Sequence, residues 1–138
     1  MIYLDTSVLT AYYTVEEHSE RATEIVTTAE EPMVSDLAIA EFNATIWRKQ
    51  HQGFLTPESV AAVFALFDEH VQNVYRRVPI SPAHVESVRD LAGRCPVLLR
   101  TLDALHLVLA ISQSVAELAT FDRRLADAAK ATGFAVLS

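Results

Sequence analysis

The sequence predicts an α/β protein, a three-layer α/β/α domain with a central parallel sheet, occupying the 138 residues as one domain. Three observations carry that expectation. Short apolar runs alternate with helical periodicities along the whole chain. The first run, Ile2-Tyr3-Leu4, is apolar without alternation, as in a strand covered on both faces. No repeat, low-complexity tract or compositional break divides the chain.

The elements follow in order. Ile2-Tyr3-Leu4 ends in Asp5-Thr6-Ser7, and Asp and Thr favour N-caps, which predicts a helix from Ser7 to Tyr13. Ala22, Ile25, Val26 and Ala29 recur at helical spacing, and Pro32 closes that helix. Met33-Val34-Ser35 reads as a brief second strand. Ser35 or Asp36 then caps a long helix that runs to about Gln52 and stops at Gly53, with Leu37, Ala40, Ala44 and Trp47 as its apolar stripe.

Thr56-Pro57 supplies a cap and a first-turn proline, and Val60, Phe64, Phe67 and Val71 form the inner face of the helix it starts. Val74 to Ile80 is a predicted strand, with Arg76 and Arg77 near a sheet edge or loop. Ser81-Pro82 repeats the helix start, and Val85, Val88 and Ala92 carry that helix to Gly93. Arg94 to Arg100 is a loop. Thr101-Leu102-Asp103 opens a helix that is apolar nearly all round through Ile111, which marks it as interior. Val115 to Phe121 reads as a strand. Asp122 caps a helix from Arg123 to Ala131 with Leu125, Ala128 and Ala129 inward, and Phe134 to Leu137 is the last strand.

Bulk properties narrow the function. A single cysteine, Cys95, excludes an intrachain disulfide and a cysteine-rich zinc site. The most apolar run, Ala104 to Ile111, is too short to span a bilayer, and the opening residues lack a basic signal-peptide region. A cytoplasmic protein with no membrane association is expected. The net charge of −7 argues against gripping nucleic acid by bulk electrostatics. Acids gathered around a cation would reconcile that charge with a phosphate-bearing substrate, although solvated pairs such as Glu16-Glu17 and Glu30-Glu31 account for much of the excess.

Four acids stand out. Asp5 and Asp122 end predicted strands, and right-handed crossovers put both on the same sheet edge. Asp103 starts the interior helix, where a carboxylate is also favoured by the helix dipole. Glu41 lies beside the stripe of the long helix and must be solvated, paired or bound to a metal. Converging carboxylates repel, so that without a cation one or more would be protonated near neutral pH. An all-oxygen set suits Mg²⁺ or Mn²⁺, and Thr6, Ser7 and Thr120 are placed to hydrogen-bond the carboxylates or metal-bound water. His106, one turn after Asp103, reads as a hydrogen-bonded packing residue or at most a support for the acids. Each acid has an ordinary structural reading as a cap or a solvated flank.

Asp5-Thr6-Ser7, Glu41 in a helix after the Ser35 turn, Asp103-Ala104-Leu105-His106-Leu107 and Thr120-Phe121-Asp122 together resemble the PIN-domain pattern, and more closely the VapC toxins of toxin–antitoxin pairs. The match runs in order over essentially the whole chain. It implies a PIN-like fold and a metal-dependent ribonuclease, with Asp5, Glu41, Asp103 and Asp122 as catalytic metal ligands. A VapB-like antitoxin and a homodimer come with the same resemblance. Arg100 and Arg123, which flank two of the acids, are candidates for contact with the RNA backbone or plain surface arginines. Some relatives carry a further acid two residues after the Asp122 position. Here that place is Arg124, so a second metal site would lack a ligand.

Other chemistries fit less well. A haloacid-dehalogenase-like phosphatase needs an Asp where Ser7 stands, and dinucleotide binding needs a glycine-rich first turn that Leu4 to Leu9 lacks. A non-catalytic PIN-like binding module and an RNA-processing nuclease outside any toxin–antitoxin pair remain as alternatives.

Overall fold

The structure, a computed structural model, describes all residues from Met1 to Ser138. The first half of the chain builds β1 (Ile2–Leu4), α1 (Thr6–Tyr13), α2 (Ser19–Thr28), β2 (Pro32–Ser35), α3 (Asp36–His51) and α4 (Pro57–Asn73). The second half adds β3 (Arg76–Val78), α5 (Pro82–Arg94), α6 (Thr101–Ser112), β4 (Glu117–Ala119), α7 (Arg123–Ala131) and β5 (Ala135–Leu137). All five strands join one sheet in the order β3-β2-β1-β4-β5, with every neighbouring pair parallel. β1 is therefore the centre, and the chain order reverses beside it. In open α/β sheets such a reversal opens a crevice beyond the carboxyl ends of the strands.

The pleat assigns the layers. Ile2 and Leu4 point to one face, where they pack with Leu9, Ile25, Phe42 and Phe67 of α1 to α4. Tyr3 points to the other, among Leu91, Leu107 and Leu125 of α5 to α7. Burying each such side chain contributes about 1.5–3 kcal/mol, so neither layer is dispensable. Arg76 and Arg77 lie exposed on the edge strand β3.

Caps follow the expected chemistry. Asp5, Ser35, Thr56, Ser81 and Asp122 each accept a backbone N–H at the start of their helices. Gly53, at φ 81°, takes the left-handed conformation just past α3, where a Cβ would be strained.

Two helices are rotated from expectation. The buried face of α3 is Leu37, Ala38, Phe42 and Ile46, whereas Ala40 and Ala44 are exposed and Trp47 is 50% exposed. Both stripes are apolar; the larger Phe42 and Ile46 win the interior, and Phe42 meets the Phe67 ring at 4.0 Å. In α5 the inward residue is Leu91 with Val88 beside it, while Val85 is 58% exposed. β3 and β4 are also shorter than predicted, because Val74 closes α4 and Thr120 and Phe121 already belong to the turn into α7.

Candidate metal centre

The carboxyl edge of β1 and β4 collects the polar residues. Asp5 follows β1 directly and is buried, at 5% exposure. Its Oδ2 accepts from the Ser7 hydroxyl at 2.7 Å, the Thr120 hydroxyl at 2.8 Å and the Ser7 N–H at 3.3 Å. The two hydroxyls are themselves fixed: the Phe121 N–H donates to Ser7 Oγ at 2.9 Å and the Asp122 N–H to Thr120 Oγ1 at 3.0 Å. Capping and site-building are thus the same contacts. They saturate one oxygen of Asp5 and leave Oδ1 facing His106 Nε2 at 3.5 Å.

Glu41 comes from the second turns of α3 and is half-buried. Its Oε1 accepts from the Thr6 hydroxyl at 2.9 Å and from His106 Nε2 at 2.6 Å. Half-burial works to raise its pKa. The hydrogen bond and charge of His106, with the Thr6 bond, outweigh that and hold it below the usual range.

His106, buried on α6, is the hub. Its Nδ1 meets the Tyr3 hydroxyl at 2.7 Å, and that hydroxyl meets Ser35 Oγ at 2.6 Å. Ser35 in turn caps α3 through the Ala38 N–H. A run of buried hydrogen bonds therefore links the β2 end, β1, α6 and the α3 carboxylate. Burial works to lower the His106 pKa, but the bond to Glu41 and the fields of Asp5, Glu41 and Asp103 win and raise it. This protonatable ring supplies positive charge inside the cluster. The repulsion expected among the acids is therefore offset at Glu41, which stays ionised more readily than usual.

Repulsion survives at Asp103, one turn before His106. Burial raises its pKa first and the Asp122 charge adds to this, against Arg124, Arg100 and His106. Asp122 is exposed, and its Oδ1 caps α7 through the Arg124 and Leu125 N–H groups at 2.8 and 3.2 Å. Its charge is also felt at Glu41.

Of the four predicted acids, Asp5 and Glu41 converge with His106, each offering a ligand atom within 4.8 Å of the others. Asp103 and Asp122 stand outside that group but share its electrostatic field. Arg100 and Arg123 are exposed, and it is Arg124 and Arg100 whose charges reach Asp103. Sequence reasoning gave Ser35 only a capping role and read Tyr3 only as part of an apolar strand. The only available signal was a phenol inside an otherwise aliphatic strand, which burial obliges to find a partner.

The PIN-domain family model matches residues 2–131. The chain belongs to the PIN-domain family. No curated protein matches this PIN domain in sequence. Among solved structures it is similar to Mycobacterium tuberculosis VapC20, a sarcin–ricin loop-cleaving toxin, at 17% identity over 98% of this chain and 97% of that one, with a TM-score of 0.76. FitAcB from Neisseria gonorrhoeae matches at 19% identity over 100% of this chain and 97% of the other, with a TM-score of 0.73. VapBC2 from Rickettsia felis, bound to a promoter DNA fragment, matches at 13% identity over 99% and 97%, with a TM-score of 0.67. At such identities the likeness is one of fold. Asp5 Oδ1 and Glu41 Oε2 carry lone pairs that no hydrogen bond takes up, which suits a hard dication.

Proposed function

We propose that this PIN domain is a metal-dependent ribonuclease toxin that cleaves RNA phosphodiester bonds and is neutralised by a VapB-like antitoxin. The convergence of Asp5, Glu41 and His106 within 4.8 Å at the sheet's switch point carries the reading. Asp5 and Glu41 would hold Mg²⁺, or Mn²⁺ in its place, with Asp103 and Asp122 completing the set around the same edge. Bound there, the ion would supply an activated water for in-line attack and would neutralise charge developing on the phosphate.

The chain's own residues prepare that step. Ser7 and Thr120 hold Asp5 so that one oxygen stays directed inward, and Thr6 does the same for Glu41. His106, held by Tyr3 on its far nitrogen, fixes the Glu41 carboxylate and sets its charge. Arg100 and Arg123 are candidate contacts for the RNA backbone. With no helix long and apolar enough to cross a membrane, a cytoplasmic encounter with RNA fits. A homodimer is the expected assembly, checked by light scattering on the purified chain.

The similar solved structures, a loop-cleaving toxin and toxin–antitoxin complexes, support the toxin role. Purified, partner-free protein incubated with structured RNA and Mn²⁺ should cleave it, and both EDTA and Asp5→Asn should abolish cleavage. Cleavage that persists in both refutes the mechanism. Expression of the chain alone should arrest growth; harmless expression would return the RNA-processing or binding-module alternatives.

A further inference from the structure

Beside the acids lies a cleft of about 370 Å³, between the α1–α2 connection and the end of α3. Thr6 and Ser7, which hold Glu41 and Asp5, also line it, so cleft and metal centre share a wall. Only two of its 11 lining residues are hydrophobic, and both, Phe54 and Phe121, are aromatic. An amphipathic helix seeks an apolar groove. Exposed rings with cations and hydroxyls are instead the means by which single-stranded nucleic acid is held.

Two features give the cleft a direction. His18 stacks on Phe121 with ring centroids 4.6 Å apart and planes 18° from parallel. His18 is exposed and, although it stands at the N-cap of α2, its side chain makes no cap bond there. Phe121 is anchored because its N–H donates to Ser7 Oγ, the hydroxyl that also orients Asp5. The stack is thereby registered to the acid that leads the metal centre. Across the cleft, Glu16 takes Lys49 at 2.6 Å. Arg48 is left with no carboxylate at ion-pair distance, its guanidinium steadied by Thr45 Oγ1 at 3.0 Å.

We infer that this cleft is a nucleotide subsite for single-stranded RNA, in which His18, backed by Phe121, is the platform for one base beside the scissile phosphate and Arg48 contacts an adjoining phosphate. The inference rests on the nuclease reading above and adds to it the residues, His18, Phe121 and Arg48, that would hold one unpaired nucleotide beside the metal centre. A base within a duplex cannot reach the platform.

The test measures binding of a short fluorescein-labelled single-stranded RNA by anisotropy, with Ca²⁺ in place of Mg²⁺, across a salt series. His18→Ala should bind roughly 5- to 150-fold more weakly, the worth of one stacked base. His18→Tyr, which keeps a flat ring, should bind close to wild type. Arg48→Ala should flatten the slope of log affinity against log salt by about 0.7, as for one phosphate lost on a single strand. Duplex RNA of the same sequence should not respond to His18→Ala. Both positions are exposed, and melting curves confirm that the variants fold. If the wild type cleaves RNA while His18→Ala and Arg48→Ala bind it with unchanged affinity and slope, the subsite is refuted and the nuclease stands. The same holds if His18→Tyr is as weak as His18→Ala, or if the variants weaken only the binding of a protein partner. A wild type that neither binds nor cleaves RNA removes both readings.

Discussion

His106 and Glu41 make a pair whose protonation is written into stability. The raised His106 pKa means that its protonated form stabilises the fold; this contribution is complete below the ordinary histidine value and is lost as pH rises through the raised one. The lowered Glu41 pKa acts oppositely, stabilising above the ordinary glutamate value and fading as pH falls through the lowered one. In EDTA, melting temperature should therefore be highest between the two and decline on both sides. His106→Asn should remove the alkaline decline, a result read directly from thermal melts over pH. Asp103 has the reverse sign for a carboxylate: its raised pKa marks the ionised form as a cost to the fold. Asp103→Asn should raise the melting temperature in EDTA by a small amount, about 1–3 °C, since solvent screens a group this open. An unchanged or lower value would separate Asp103 from the other acids.

At the scale of elements, α3 and α6 are the arms that deliver Glu41 and His106, and both are tied to β1. Ser35 caps α3 and also bonds the Tyr3 hydroxyl. Ser35→Ala should cost about 1–2 kcal/mol for the lost cap, visible in urea denaturation. Tyr3→Phe leaves Ser35 and His106 Nδ1 buried with one partner fewer, at about 1–3 kcal/mol. Because that phenol also sets the His106 ring against Glu41, Tyr3→Phe should weaken Mn²⁺ binding as well, by up to about 10-fold, measured by calorimetry. Lost stability with unchanged metal affinity would make Tyr3 a packing residue alone.

At the scale of the whole molecule, Asp5 and Glu41 meet at the central crevice, and a cation bound between them should stabilise the fold by mass action. At a Mn²⁺ concentration about 100-fold above its dissociation constant, the gain is about 2.7 kcal/mol, a rise of roughly 5–10 °C in melting temperature. Asp5→Asn should abolish the rise. A wild type whose melting is indifferent to Mn²⁺ would sink the shared metal site. The net charge of −7 leaves no broad basic face for a polyanion, so the proposed ribonuclease would have to meet substrate phosphates at a few positions.

How much of this was legible in the chain differs by level. The alternation of elements, the parallel sheet, the caps at Asp5, Ser35, Thr56, Ser81 and Asp122, and the place of Asp5 directly after a strand follow from local chemistry, whereas Asp122 stands in the turn beyond β4 rather than at its end. Caps, turns and buried strands are short-range preferences that a linear reading captures. The faces of α3 and α5 were not legible, because two apolar stripes competed and only the neighbouring rings and leucines decided between them. Nor was the bond from Tyr3 through His106 to Glu41, whose members lie up to 103 positions apart. The sequence by itself determined that Asp5 follows a strand and that Asp103 and Asp122 stand at helix starts. Only the tertiary structure decided that a histidine from α6 stands between two of the acids, since that depends on which strands are neighbours and which way each side chain points across the sheet.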